Sequence, residues 1–133
     1  MINPEKVWNL KGQLWLNVGA GSYALPGFVH LDNSLFVQLL PLYALMSPFL
    51  TTHQRSGFER YANASSRATY LVHDCGKPLP FPEDSVDHIL ASHFLERLYK
   101  ADAERVLRDF FKVLKPRASL HVIVPNLTPL AKR

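Results

Sequence analysis

The chain contains little cysteine and lacks a long, regular apolar run. Cys75 is the one cysteine in 133 residues, which excludes an intramolecular disulfide and a metal site built from several cysteines. This usage suits a reducing, cytoplasmic compartment. The N-terminus lacks a basic segment followed by an apolar one, so we expect no signal peptide. No run has the length and regularity of a transmembrane helix, and the net charge of +4 permits an acidic partner without requiring one.

The remaining composition is that of one folded domain. With 47% hydrophobic and 20% charged residues, the chain is large enough for a single core. Apolar runs predict five strands, at residues 14–18, 28–31, 69–74, 86–92 and 119–124. Residues 101–115 repeat apolar side chains at three- and four-residue steps, which predicts an amphipathic helix with a solvated basic face. The alternation indicates an α/β fold.

A Gly-x-Gly turn, Gly19 to Gly21, follows the first predicted strand directly. Glycine permits positive φ and lets a ligand approach the backbone closely. Asp32 closes the second predicted strand, thirteen residues after Gly19. Open α/β folds hold a nucleoside in this way, with backbone under the ligand and a carboxylate for the ribose hydroxyls. The alternative is a turn with no ligand.

The connection between these two strands limits the choice of nucleoside. Only residues 22–27 separate Gly21 from the second strand, and Pro26-Gly27 favours a turn. A pyrophosphate site needs a full helix at this point. A nucleoside without phosphates therefore fits better than a dinucleotide.

Residues 33–68 have an unusual composition and form an insertion between the second and third predicted strands. Residues 33–50 are almost wholly apolar and uncharged, and Pro41 and Pro48 interrupt them. One interpretation is a helix buried against the sheet. The others are a lid on the acceptor side, a protein contact, or a segment on a membrane surface. Residues 53–68 are polar and basic, which predicts a mobile loop or a poorly packed helix.

Five motifs occur in the order typical of one enzyme family. They are Leu16-Asn17-Val18-Gly19-Ala20-Gly21, residues 25–32, Asp74 with residues 79–87, residues 91–98, and Val113-Leu114-Lys115-Pro116 with the strand to Asn126. From residue 14 to 126 the chain resembles the class I S-adenosylmethionine-dependent methyltransferases of the small-molecule type. The resemblance implies an α/β, Rossmann-like, mostly parallel sheet of strand order 3-2-1-4-5, in a single domain with residues 33–68 unmatched.

The resemblance also implies S-adenosylmethionine as the cofactor, without a metal. Gly19 and Gly21 would lie under its methionine moiety, and Asp32 would accept hydrogen bonds from the ribose hydroxyls. Asp74 would face the adenine, and Ser92 would lie beside the sulfonium. The expected cofactor contacts are Asn17, Gly19, Ala20, Gly21, Asp32, Asn33, Asp74, Cys75, Ser92 and His93.

Two residues are candidates for catalysis. Methyl transfer is an in-line displacement, so alignment supplies much of the rate, and a base helps where the acceptor loses a proton. The resemblance implies His93 as that base, with Glu96 orienting it. The alternative is that His93 only begins a helix.

The chain departs from the family pattern at two places. Arg117-Ala118 stand where relatives usually have two glycines. Relatives also continue with a helix and an antiparallel strand pair, whereas this chain ends seven residues after Asn126. Without that pair the fifth strand is a sheet edge, so we expect a dimer or a protein partner at that edge or at residues 35–50.

The resemblance leaves three functions open. The first is methyl transfer to a small-molecule, saccharide or lipid-type acceptor. The second is an inactive S-adenosylmethionine-binding module that regulates or scaffolds a partner protein, and the third is a relic fold with neither property. No Asn-Pro-Pro-Tyr-like segment is present, which disfavours a nucleic acid as the acceptor.

Overall fold

Five parallel strands form one sheet in the computed structural model, which describes residues 1–125. The strands are β1 Trp15–Val18, β2 Phe28–Asp32, β3 Thr69–Val72, β4 Val86–Ser92 and β5 Leu114–Ile123. Their order is β3-β2-β1-β4-β5, and each neighbouring pair is parallel. This confirms the predicted α/β fold and strand order. The predicted continuation to Asn126 lies outside the described residues.

The core lies against the central strands. Leu16, Asn17 and Val18 of β1 are all buried, so this strand is covered on both faces, as in other parallel sheets. Helix α4, Lys100–Val113, contributes Val106 and Phe110 to the core. Its bounds agree with the predicted amphipathic helix to within two residues.

Residues 33–50 form short helices and not a buried helix. Helices α1, Leu35–Leu39, and α2, Tyr43–Met46, alternate with two 3-10 turns, Leu40–Leu42 and Ser47–Phe49. The prolines at 41 and 48 lie in the first turns of the 3-10 segments, where a missing N–H costs least. No residue of either helix is buried. The interpretation as a helix buried against the sheet is therefore wrong.

The basic segment that follows is a regular helix, α3, which spans Thr52–Arg67. Its first turn is closed by a capping box. The N–H of Gln54 donates to Oγ1 of Thr51 at 3.2 Å, and the N–H of Thr51 donates to Oε1 of Gln54 at 2.9 Å. The alternative of a loop at 53–68 is therefore wrong. The sequence pattern Thr-x-x-Gln at residues 51–54 is the signal that indicates the start of this helix.

Strand β5 begins five residues before its predicted start at 119. Leu114 is buried and pairs with Val86, whereas Ser119 pairs with His88, so the pairing register shifts between them. The intervening residues form a bulge, which accommodates Pro116 because it cannot donate to the ladder. Arg117 lies in this bulge with a φ of +67°.

Within residues 1–125, no helix is both long and apolar enough to cross a membrane.

Candidate functional site

A cavity of about 880 Å³ lies at the carboxyl ends of β1, β2 and β4. Its volume falls within the range of small-molecule sites, and open α/β sheets bind their ligands at this edge. All ten expected cofactor contacts line it, whereas Glu96 does not. Tyr61, His73, Phe94 and Arg97 also line it, and none of them is among the predicted contacts.

The glycine turn forms one wall of the cavity. The N–H groups of Gly19 and Ala20 donate to the carbonyl of Leu31 at 2.9 and 3.1 Å, which ties the turn to β2. Gly19 has a φ of +64°, and a Cβ there would lie 2.9 Å from Cδ2 of Phe94. Gly21 has a φ of +61° with open space around it. Backbone conformation requires glycine at both positions, and close packing also requires it at Gly19.

Asp32 stands at the end of β2 with both carboxylate oxygens in hydrogen bonds. Oδ1 accepts from the N–H of Ser34 at 2.9 Å, and Oδ2 accepts from the phenol of Tyr61 at 3.1 Å. Burial raises the pKa of Tyr61, so its hydroxyl remains a neutral donor at neutral pH. A carboxylate has about four acceptor positions, so the two oxygens retain capacity for further donors.

Beneath the loop at 22–27 lies a buried histidine, His30. Its Nε2 accepts from the N–H of Leu25 at 2.9 Å, and its Nδ1 lies 3.1 Å from the carbonyl of Thr69. Because a carbonyl only accepts and an amide N–H only donates, Nδ1 must carry the proton and Nε2 must be free. Burial lowers the pKa of His30, consistent with this neutral form.

Tyr70 connects β3 to the glycine turn. Its ring stacks on His30 with the centroids 4.8 Å apart, and its hydroxyl donates to the carbonyl of Gly21 at 2.9 Å. Burial raises the pKa of Tyr70 to about 12, so the hydroxyl keeps its proton at neutral pH. His30 and Tyr70 thus hold the two ends of the loop after the glycine turn, at Leu25 and at Gly21.

The segment after β3 provides the second acidic wall. Oδ1 of Asp74 accepts from the N–H of Gly76 at 3.0 Å. Cys75 is buried, and burial raises the pKa of its thiol to about 12, so the group stays protonated and is not a nucleophile at neutral pH. Nε2 of His73 is buried without a hydrogen-bond partner among residues 1–125. Such an atom usually has an unseen partner, such as a water or a ligand.

His93 lies at the open side of the cavity, after β4. Its N–H donates to the carbonyl of Ile123 at 2.7 Å, and its φ is +53°. Nδ1 lies 3.5 Å from Oε1 of Glu96, which is longer than an ordinary hydrogen bond. The side chain of His93 is about half exposed, so it is accessible to a molecule entering the cavity. The 3-10 turn Leu95–Arg97 follows, and Phe94 occupies its N-cap position.

No group of three or more His, Cys, Asp or Glu residues within 1–125 is arranged to hold a metal ion.

Comparison with protein families gives a match over more than half of the chain. Residues 47–122 match the family model described as a methyltransferase domain. No curated protein sequence matches the chain. The family match begins after the glycine turn and Asp32, so it is independent of those residues.

Solved structures share the fold at low sequence identity. A protein from Pyrococcus horikoshii OT3 is 16% identical with a TM-score of 0.58, over 93% of this chain and 55% of that one. A proposed S-adenosyl-L-methionine-dependent methyltransferase from Methanococcus maripaludis is 16% identical with a TM-score of 0.52, over 83% and 47%. A chain from the complex of the Haloferax volcanii Trm112 methyltransferase activator with a proposed methyltransferase is 22% identical with a TM-score of 0.51, over 84% and 44%. The present chain thus spans about half the length of these structures.

Proposed function

Because the chain belongs to the methyltransferase-domain family, we propose that it binds S-adenosylmethionine and transfers the methyl group to a small-molecule, saccharide or lipid-type acceptor. The observation that carries the proposal is the meeting of the glycine turn and the Asp32 carboxylate in one cavity of about 880 Å³. Backbone without a Cβ and a carboxylate at the neighbouring strand end are the groups that a nucleoside-based cofactor needs.

The residues of the cavity fit this cofactor in three parts. Gly19, Ala20 and Gly21, with Asn17, would contact the methionine moiety. Asp32 and Asn33 would hold the ribose hydroxyls, since the carboxylate oxygens retain acceptor capacity. Asp74 and Cys75 would border the adenine, and the unpartnered Nε2 of the neighbouring His73 is consistent with a ligand on this side.

The reacting end of the cofactor would lie near Ser92 and His93. When bound, S-adenosylmethionine supplies a methyl group on a positively charged sulfur, ready for in-line displacement. The exposed imidazole of His93 would accept the proton of the acceptor, and Glu96, whose Oε1 lies 3.5 Å from Nδ1, would orient the ring. The neutral thiol of Cys75 would take no part in the transfer.

A second candidate function is an S-adenosylmethionine-binding module that acts through a protein partner. The fold is shared with a chain from the complex of a methyltransferase activator and a proposed methyltransferase, which supports a protein partner but not the loss of methyl transfer. Both functions share the cofactor site, and they differ in whether a methyl group is transferred.

Calorimetric titration of S-adenosylmethionine into the pure chain tests the shared site. We expect Asp32→Ala to weaken binding at least about tenfold, or about 1.4 kcal/mol. Asp102→Ala is the matched control, because Asp102 lies on α4 outside the cavity and, among residues 1–125, forms its one ion pair with Arg105, at 3.2 Å. Absence of binding by the folded chain, or equal binding by both variants, would contradict the proposal. Transfer of a labelled methyl group to candidate acceptors then separates the enzyme from the binding module.

A further inference from the structure

The helical segment from Leu35 to Phe49 exposes large apolar side chains along one face. Leu35, Leu42, Leu45 and Phe49 are 69%, 49%, 77% and 88% exposed. They are separated by seven, three and four residues, so successive helical turns bring them to the same side. We call these four residues the outer face.

The opposite face of the segment is held against α3 by aromatic contacts. The rings of Phe36 and Tyr43 lie 5.0 and 5.1 Å from the ring of Phe58. Phe36 also fits over Gly57, where a Cβ would lie 2.5 Å from its Cζ atom. This packing fixes the rotation of the segment, so the outer face cannot turn inward without losing it.

A surface helix is normally polar on the side away from the core. This segment is apolar on both sides, and no charged residue occurs from Asn33 to Gln54. A contiguous exposed apolar surface of this kind marks an interaction site for a protein or a membrane.

The charges next to the outer face distinguish between these partners. Residues 33–54 carry no charge, and the first charged residues of α3 are Arg55, Glu59 and Arg60, of which Glu59 lies 3.5 Å from the hydroxyl of Tyr43. Arg55 is exposed, and its Nη2 donates to the carbonyl of Leu50 at 2.9 Å, so the guanidinium lies where the apolar segment ends. An apolar face with a cationic border and few acids is complementary to the surface of an anionic bilayer.

We propose that the outer face docks on an anionic lipid bilayer. Leu45 and Phe49 are the most exposed side chains of the outer face, and they enter the boundary between headgroups and acyl chains. Arg55 contacts the lipid phosphates. The segment lies in the plane of the interface and does not cross the bilayer.

Docking would also bring the cavity to the lipid surface. Asn33 and Ser34 line the cavity and directly precede α1. Tyr61 lines it as well, and its ring lies 5.8 Å from that of Phe36. We therefore infer that the methyl acceptor is lipid-linked, an inference that rests on the proposed methyl transfer, whereas the docking itself does not.

Co-sedimentation of the pure chain with vesicles tests the docking. Vesicles of phosphatidylcholine with phosphatidylglycerol are compared with vesicles of phosphatidylcholine alone, without S-adenosylmethionine. We expect binding to the anionic vesicles and at least about tenfold weaker binding by the double variant Leu45→Glu, Phe49→Glu. The matched control is Leu10→Glu, Tyr99→Glu, which places the same two charges at exposed apolar positions elsewhere and should bind like the wild type.

A second pair of variants tests the cationic border without altering the apolar face. Arg55→Gln should weaken binding to the anionic vesicles several-fold, whereas the exposed Arg108→Gln on α4 removes the same charge and should bind much more like the wild type. Added salt should reduce the difference between the two. Circular dichroism of each variant establishes that it is folded.

Two results would overturn the docking proposal. One is no sedimentation of the wild type with anionic vesicles. The other is equal sedimentation of the outer-face and control variants. If light scattering instead finds a dimer that Leu45→Glu, Phe49→Glu dissociates, and vesicles bind nothing, the face joins two copies of the chain and the proposal is wrong. Because the vesicle assay needs no cofactor, these results are separate from the calorimetric test of the cavity.

Discussion

The phenol of Tyr61 donates a hydrogen bond of 3.1 Å to Oδ2 of Asp32, joining the insertion to the end of β2. Asp32 closes one of the sequence motifs on which the resemblance rests, whereas Tyr61 lies on α3, outside those motifs but within the residues 47–122 that match the family model. The ring of Tyr61 also contacts Phe36. The same helix layer that presents the outer face therefore orients the carboxylate of the proposed ribose site.

We expect Tyr61→Phe to weaken S-adenosylmethionine binding roughly threefold to tenfold. The change removes a hydrogen bond that holds the carboxylate, and such a bond contributes about 1 kcal/mol. Calorimetry measures the effect. Tyr43→Phe is the control, because the hydroxyl of Tyr43 donates to Glu59 at 3.5 Å and to no other residue in the described part of the chain. Tighter binding by Tyr61→Phe would show instead that the phenol competes with the ligand.

Alanine substitutions at the two glycines of the turn should differ in cost. Gly21→Ala meets open space and should lose only the strain of a positive φ, about 1–2 kcal/mol of unfolding free energy. Gly19→Ala adds a clash with the ring of Phe94, so its free energy of unfolding should fall by more than about 2 kcal/mol. Denaturant unfolding of both variants measures the difference. Equal losses would mean that Phe94 moves aside freely.

The chain should lose stability in mild acid because of His30. Its pKa in the fold lies below the ordinary value of 6.5, so the unfolded chain takes up the proton first as the pH falls. The contribution of neutral His30 to the free energy of unfolding is therefore complete above pH 6.5. It is lost progressively as the pH falls from there towards the lowered pKa. Protonation of Nε2 would also break its bond with the N–H of Leu25.

Unfolding curves at a series of pH values test this dependence. His30→Gln should be less stable at neutral pH but should lose less stability on acidification than the wild type. Part of the dependence should persist, since burial also lowers the pKa of His88. The exposed His53→Gln on α3 is the control. If His30→Gln keeps the full dependence of the wild type, another group is responsible.

Arg117→Gly should stabilise the chain. Arg117 is exposed and has a φ of +67°, a conformation that costs a residue with a Cβ about 1–2 kcal/mol. Glycine removes this strain but loses more backbone entropy on folding, so we expect a net gain of about 0.5–1 kcal/mol. Denaturant unfolding measures it. Arg108 has the helical conformation of α4, so Arg108→Gly should instead lower the free energy of unfolding by about 1 kcal/mol. If Arg117→Gly also lowered it, the assignment of strain to Arg117 would be wrong.

The parts of the fold that sequence predicted well are those with a local pattern. Strand β4 lies at the predicted residues 86–92, because an apolar run there is bounded by a proline-rich loop and polar residues. The predicted start of β5 is five residues too late, because the true start depends on the pairing of Leu114 with Val86 across a bulge. The positive φ of Arg117 in this bulge is a conformation that glycine adopts more easily, which gives a physical reason for the two glycines that the resemblance leads one to expect there.

For the site, motif order was sufficient to select residues that converge on one cavity. Ten expected contacts line it, although their individual roles remain predictions. His30 and Tyr61 were not selected, because neither belongs to a motif whose chemistry is visible in sequence. Their importance comes from partners 5 and 29 residues away, Leu25 and Asp32.

The sequence by itself determined the strand series, the glycine turn and the acid after β2, because these follow from local periodicity and backbone chemistry. Only the tertiary structure decided which side of residues 35–49 faces outward. Both sides are apolar, so periodicity cannot choose between them. The contacts of Phe36 and Tyr43 with Phe58 make that choice, since aromatic packing on α3 leaves Leu45 and Phe49 in solvent.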